Sequence, residues 1–174
     1  MKRRDLYRYG TMLLGNLAAF TLAVPGVAYL FDPLAKKSKE GVFQPMAKLK
    51  ELKVGVPVAV PVVEERQDAW VKYPKEPIGS VWLVRQPEGS KEPVVAFTTT
   101  CPHLGCAINL AADRTTFYCA CHSSRFEFSG KPMNDVPPRA MDSLKVKITT
   151  DPDPVVMVKF ERFRCQGKEK ISLV

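Results

Sequence analysis

Cys101-Pro102-His103-Leu104-Gly105-Cys106 and Cys119-Ala120-Cys121-His122-Ser123-Ser124 hold both histidines of this 174-residue chain and four of its five cysteines. Random placement would almost never gather them so closely, so these two runs carry the chemistry and the flanking segments must bring them together. Working outward, GVPVAVPVV (55–63), GSVWLVR (79–85), PVVAFTTT (93–100), TTFYC (115–119), RFEFSG (125–130), LKVKITT (144–150) and PVVMVKF (154–160) are short runs rich in Val, Ile, Thr and aromatics, separated by Gly, Pro, Asp and Ser. The pattern predicts an all-β, antiparallel head with no helical period between Pro57 and Phe160. Pro57 and Pro61 assign their run to an edge strand at best, because proline cannot donate to a ladder. No internal repeat or low-complexity tract is present.

The N-terminal end reads differently. Lys2, Arg3, Arg4 and Arg8 crowd against a single Asp5, and Thr11 to Phe31 contains no charged residue. As a helix this run would be about 31 Å long at ~1.5 Å per residue, the thickness of a hydrocarbon core, so it can span a membrane once. Asn16 and Pro25 are tolerable there. Gly26-Val27-Ala28 offers the small-x-small site of a cleaved secretory signal, but the apolar run continues through Tyr29, Leu30 and Phe31, which favours an uncleaved anchor. Arg3-Arg4 followed by Asp5-Leu6 resembles the bacterial twin-arginine export signal. Basic residues flank both ends of the span, with Lys36, Lys37 and Lys39 beyond it, so the positive-inside rule is equivocal. The twin-arginine reading puts the N-terminus in the cytoplasm and the rest of the chain outside. The expected division is an N-terminal address over 1–10, an anchor over 11–31, a tether over 32–48 broken by Pro33, Gly41 and Pro45, and a β head over 49–174.

Composition sets the outer limits. An apolar share of 45% with nine Phe, five Tyr and two Trp excludes a wholly disordered chain and a multi-span membrane protein. Five Cys fall far short of the tenth of residues that marks a disulfide scaffold. The net charge of +8 partly precedes the span, and the remainder is dispersed among acidic residues, which gives no support for a nucleic-acid partner.

Two mixed Cys-and-His clusters admit three readings. A zinc site pairs Cys with Cys and His with His and needs four ligands, whereas six are offered here. A zinc-stabilised β binding module is therefore the weaker alternative. Cys119-Ala120-Cys121-His122 is one residue short of the haem attachment motif C-x-x-C-H. The third reading takes C-x-H followed by C-x-x-H. In a [2Fe–2S] centre, replacing two thiolates on one iron by neutral imidazoles removes two negative charges and makes reduction easier. Such centres span roughly −150 to +300 mV, against about −400 mV for the all-Cys plant type.

The paired motifs, each with its extra Cys, resemble those of the Rieske iron–sulfur subunit of bc-type and b6f-type quinol–cytochrome reductases. The family pattern C-T-H-L-G-C with C-P-C-H-G-S is met here by CPHLGC and CACHSS. The resemblance implies that Cys101 and Cys119 bind the buried iron, that His103 and His122 bind the outer one, and that Cys106 and Cys121 form a disulfide joining the two loops. It implies Leu104, Gly105, Ser124, Phe126, Pro137 and Pro138 as the residues around the ligands. Val136-Pro137-Pro138-Arg139 resembles the proline loop that covers the cluster, with Val136 in place of the usual Gly. Soluble Rieske ferredoxins and ring dioxygenases generally lack the second Cys pair, which points to the quinol-complex group.

Further expectations follow from that likeness. Ser124 keeps the hydroxyl that donates to a bridging sulfide, whereas Phe126 stands where high-potential members carry a Tyr donor to a ligand sulfur. Losing that donor implies a lower potential, suited to menaquinol. His122 or His103 would present a ring nitrogen to the quinol hydroxyl and take up a proton as the cluster takes an electron. A cytochrome b-type subunit would take the second electron and a c-type cytochrome would accept from the head, within a dimeric integral membrane complex. The small Rieske subunit of arsenite oxidase is the rival within the same chemistry. Phe126 and Phe128 have strand spacing and can serve as core, and Cys165 has no assigned partner.

Overall fold

The computed structural model describes residues 3–35, 41–65, 67–68 and 71–173. The chain forms two compact units, Met1–Ser38 with Glu65–Pro74, and Lys39–Glu64 with Lys75–Val174.

In the first unit, α1 (Arg3–Ala35) is one continuous helix that runs through Asn16 and Pro25. Its segment Arg3–Asp32 has a mean hydropathy of 1.6 and is 0% buried, long and apolar enough to cross a membrane once. Leu13, Leu22, Leu30 and Phe31 stand bare along it. A stripe-free apolar surface of this kind needs lipid or protein around it. The Thr11 and Thr21 hydroxyls donate back to the carbonyls of Tyr7 (2.9 Å) and Ala18 (2.8 Å), so neither needs water. Elsewhere in this unit a short hairpin pairs Gln67–Asp68 with Val71–Lys72.

The second unit is built on strands β1 (Phe43–Lys48), β2 (Pro57–Glu64), β5 (Glu76–Arg85), β6 (Val94–Thr98), β7 (Asn109–Leu110), β8 (Phe117–Cys119), β9 (Ser124–Phe126), β10 (Ser143–Ile148) and β11 (Val155–Lys159), while β3 (Gln67–Asp68) and β4 (Val71–Lys72) are the hairpin of the first unit. Six of these form one antiparallel sheet in the order β1-β11-β10-β6-β5-β2. Alternation along β5 divides its two faces, as a two-residue side-chain period requires. Val81 and Leu83 enter one core with Val62, Val94, Ala96, Leu144, Val156 and Val158. Trp82 and Val84 face the other, where Phe97, Ile108, Phe117, Phe126 and Met141 meet Cys101 and Cys119. Residues 99–142, inserted between β6 and β10, form that second lobe around the three-stranded sheet β7-β8-β9. Trp82 Nε1 donates to the Ile108 carbonyl at 3.0 Å and ties the lobe to the large sheet.

Prolines sit where the ladder tolerates them. β2, with Pro57 and Pro61, is an edge strand, and β1, with Pro45, is the other edge. The expected tether over 32–48 is corrected at both ends. Helix α1 runs to Ala35, and Phe43–Lys48 is a strand paired with β11, because Met46 and Ala47 pack on the core and a register shift between Pro45 and Ala47 absorbs the proline. Lys36, Lys37 and Lys39 lie outside the described residues. The run 125–130 is also shorter as a strand than expected, since β9 ends at Phe126 and the chain turns over Glu127–Gly130, where the Gly130 N–H donates to the Glu127 carbonyl at 2.9 Å and Gly130 takes φ +81°.

Candidate metal centre

Two loops at one end of the inserted lobe carry the six Cys and His side chains. The first follows β6: Thr100 pairs with Ala107, the Cys101 N–H donates to the Cys106 carbonyl at 2.8 Å, and Gly105, at φ +83°, donates to the Cys101 carbonyl at 2.9 Å. Only a residue free of a Cβ takes that backbone conformation without strain. The second is the hairpin between β8 and β9, where Cys119 pairs with Ser124 and Ser123 takes φ +59°.

Cys106 and Cys121 are joined as a disulfide across the two loops. Cys101 and Cys119 are free and each is 1% exposed. The Cys119 sulfur lies within 4.8 Å of both disulfide sulfurs. His103 is half-buried and His122 exposed, with ring centroids 4.7 Å apart and planes at 83°. Buried thiols thus lie inside and a pair of imidazoles at the rim.

The electrostatics of this pocket suit a cation-bearing group. Burial pushes the Cys101 thiol above its ordinary range; the backbone N–H of His103 pulls it back, and the Cys119 sulfur adds to the rise. Two thiolates so deeply buried are costly without positive charge between them. The side-chain oxygen of Ser124 and Nδ1 of His103 are buried with no hydrogen-bond partner. Orphaned polar atoms of this kind are rare in native interiors. Both are satisfied if a group accepts from Ser124 and binds His103 Nδ1, so the residues fit an iron–sulfur cluster.

Residues 42–149 match the model of the Rieske [2Fe-2S] domain family. The chain belongs to that family. The menaquinol:cytochrome c reductase iron-sulfur subunit of Geobacillus thermodenitrificans is 26% identical over 141 residues, covering 79% of this chain and 80% of the relative. Its counterpart in Bacillus subtilis (strain 168) is 27% identical over 143 residues, covering 80% and 81%. A chain of a solved hyperthermophilic respiratory complex III aligns at 17% identity and a TM-score of 0.44, covering 85% of this chain and 98% of that one.

Phe126 and Phe128 pack in the same core as the two free thiols. Phe126 is fully buried beside Phe117, and Phe128 meets the Phe117 ring edge-on at 5.2 Å. Leu104 is 45% exposed next to His103. In the proline loop Pro137 is buried, Pro138 half-buried and Val136 exposed. The role of Arg139 there is not legible from its motif. Its guanidinium forks onto Asp142 at 2.9 and 2.7 Å and donates to the carbonyls of Gly167 (2.6 Å) and Arg164 (2.8 Å). The segment so held reaches the first loop, since the Gln166 N–H donates to the Pro102 carbonyl at 3.0 Å. Cys165 is a free, half-buried thiol, and its sulfur lies 3.6 Å from where a Cβ on Gly105 would stand. Apart from Asp142, three residues on, these partners lie more than twenty residues apart, where sequence patterns cannot show them.

Proposed function

We propose that this Rieske protein is the electron-transfer subunit of a membrane quinol:cytochrome c reductase that draws on menaquinol, with Cys101, Cys119, His103 and His122 holding its [2Fe–2S] cluster. The observation that carries this reading is the sorting of the four side chains by burial, two thiols inside and two imidazoles 4.7 Å apart at the rim. The match to two menaquinol:cytochrome c reductase subunits over four-fifths of the chain supports it.

The bound cluster supplies one-electron acceptance at a potential raised by its neutral imidazole ligands. The chain's own residues do the rest. His122, exposed, offers a ring nitrogen to a quinol hydroxyl and takes its proton, and His103 backs it edge-on. The disulfide holds the two loops at fixed separation. The Ser124 hydroxyl, buried without a partner, would donate to the bound cluster and raise its potential, while Phe126 has no donor to offer, which would keep that potential within reach of a low-potential quinol. A cytochrome b-type subunit takes the quinol's second electron, and the head passes its own to a c-type cytochrome, in a dimeric complex. The apolar helix anchors the chain in a bacterial inner membrane, with Arg3-Arg4 on the cytoplasmic side and the head on the outer face, where a disulfide persists.

Purification in mild detergent tests this directly. Haem b and haem c subunits are expected to accompany the chain, and the reduced protein should show a low-temperature EPR signal with nitrogen hyperfine coupling. A chain that purifies without haem partners, or beside a molybdenum subunit, would overturn the assignment.

A further inference from the structure

Ser123 is one of three non-glycine residues among those described that take a positive φ, at +59°. The strain falls immediately after His122, so whatever holds the Ser123 peptide in place also sets the direction of the imidazole. On the preceding side the chain is held covalently, because Cys121 is tied to Cys106. On the following side three polar contacts act on the turn. Asn134 Nδ2 donates to the Ser123 carbonyl at 2.8 Å, and Asn134 Oδ1 accepts from the Arg125 N–H at 3.3 Å. The Ser123 and Tyr118 hydroxyls lie 3.3 Å apart. Asn134 is itself placed by its strand-like run beside β9, where the Met133 N–H donates to the Arg125 carbonyl at 2.8 Å and Pro132 pairs with Phe126. The Arg125 guanidinium lies over the Tyr118 ring, 5.1 Å from its centroid, closing that side of the hairpin.

We propose that Asn134, backed by the Tyr118 hydroxyl, is a positioning residue for His122. One carboxamide bonds to the two peptide groups that flank Ser124, directly after the strained residue. It holds a backbone conformation that serine would otherwise leave, and with the disulfide on the other side it aims the His122 ring. A donor and an acceptor on the same planar group are both needed, since one end meets a carbonyl and the other an N–H. Asparagine provides both; aspartate and leucine do not.

The inference rests on His122 acting as proposed above, and the two can fail separately. The full-length chain in detergent is compared as wild type, Asn134→Leu, Ser123→Gly and the double variant. In Asn134→Leu, amide hydrogen exchange at Arg125 and Ser124 is expected to accelerate about tenfold, with or without cluster. In cluster-loaded protein of unchanged iron content, the EPR g-values should shift and quinol oxidation by the assembled complex should fall roughly tenfold, as expected when a reacting group is misplaced. Glycine carries no penalty at positive φ, so Ser123→Gly in the Asn134→Leu background should restore the g-values and most of the rate. Unchanged exchange, or a defect that Ser123→Gly leaves in place, would overturn the positioning role. Faster exchange with g-values and rate unmoved in a cluster-bearing protein would likewise overturn the positioning role, whereas a wild-type cluster whose EPR shows no imidazole nitrogen coupling would overturn His122 as a ligand and leave the Asn134 contact standing. If Asn134→Leu fails to accumulate, Asn134→Asp, which keeps the acceptor and loses the donor, is read by the same measurements.

Discussion

Ser124 and Phe126 stand two residues apart on β9, both fully buried, and bear on the site in opposite ways. The Ser124 hydroxyl has no hydrogen-bond partner in the cluster-free chain, and under the proposed function it would donate to the loaded cluster, so Ser124→Ala should have effects of opposite sign. Thermal or urea unfolding of the cluster-free chain is expected to show a gain of up to about 1 kcal/mol. Redox titration of the loaded chain should show a midpoint lower by roughly 20–65 mV, the equivalent of one net hydrogen bond in a one-electron couple. A loss of stability without any change in midpoint would mean that the hydroxyl has an ordinary structural partner. Phe126→Tyr adds the missing donor and should raise the midpoint by a similar amount. An unchanged potential with the cluster intact would remove Phe126 from the explanation of a low-potential quinol.

At the scale of elements, the proline loop and the C-terminal segment are fastened by one nearly buried ion pair. The side chains of Arg139 and Asp142 are 9% and 5% exposed, and the guanidinium also satisfies two carbonyls. Arg139→Ala leaves the Asp142 charge buried and unpaired, and chemical denaturation should show a loss of about 3–5 kcal/mol. A loss below about 1 kcal/mol would mean that the loop relaxes to let water reach Asp142. The edge strand β1 is fastened more lightly. Lys48 and Lys50 meet Asp153 at 2.7 and 3.1 Å in solvent. Hydrogen bonds and charge from the two lysines lower the Asp153 pKa below its ordinary value of 3.8. A lowered carboxyl pKa contributes stability that is present above pH 3.8 and is lost as pH falls through the folded value. Hydrogen-exchange protection at β1, taken relative to the intrinsic rate at each pH, should therefore fall in acid and be flat near neutrality, and Asp153→Asn should abolish that acid step. The same step in the variant would assign it to another carboxyl.

On the scale of the whole molecule, the bare apolar helix and the β unit have different solvents. The head has its own two cores and a full set of strands. The helix buries none of its apolar window. Removing residues 1–31 should release the remaining chain from the membrane fraction with its disulfide and cluster intact. Continued sedimentation with membranes after a salt wash would show that the head itself binds lipid or an integral partner.

The all-β head, the edge placement of Pro57 and Pro61, the membrane-length helix and the paired Cys-and-His motifs were all legible in the sequence, because each is a local property of periodicity or spacing. Strand β1 was not, since FQPMAK carries a proline and no clean alternation and gains its place only by pairing with β11, more than a hundred residues away. The burial of His103 Nδ1, the Arg139 clasp on the C-terminal segment and the Asn134 contact after the strained Ser123 were decided by tertiary structure. Each of these depends on distance and burial, and a linear order of side chains fixes neither until the sheet has brought the loops together.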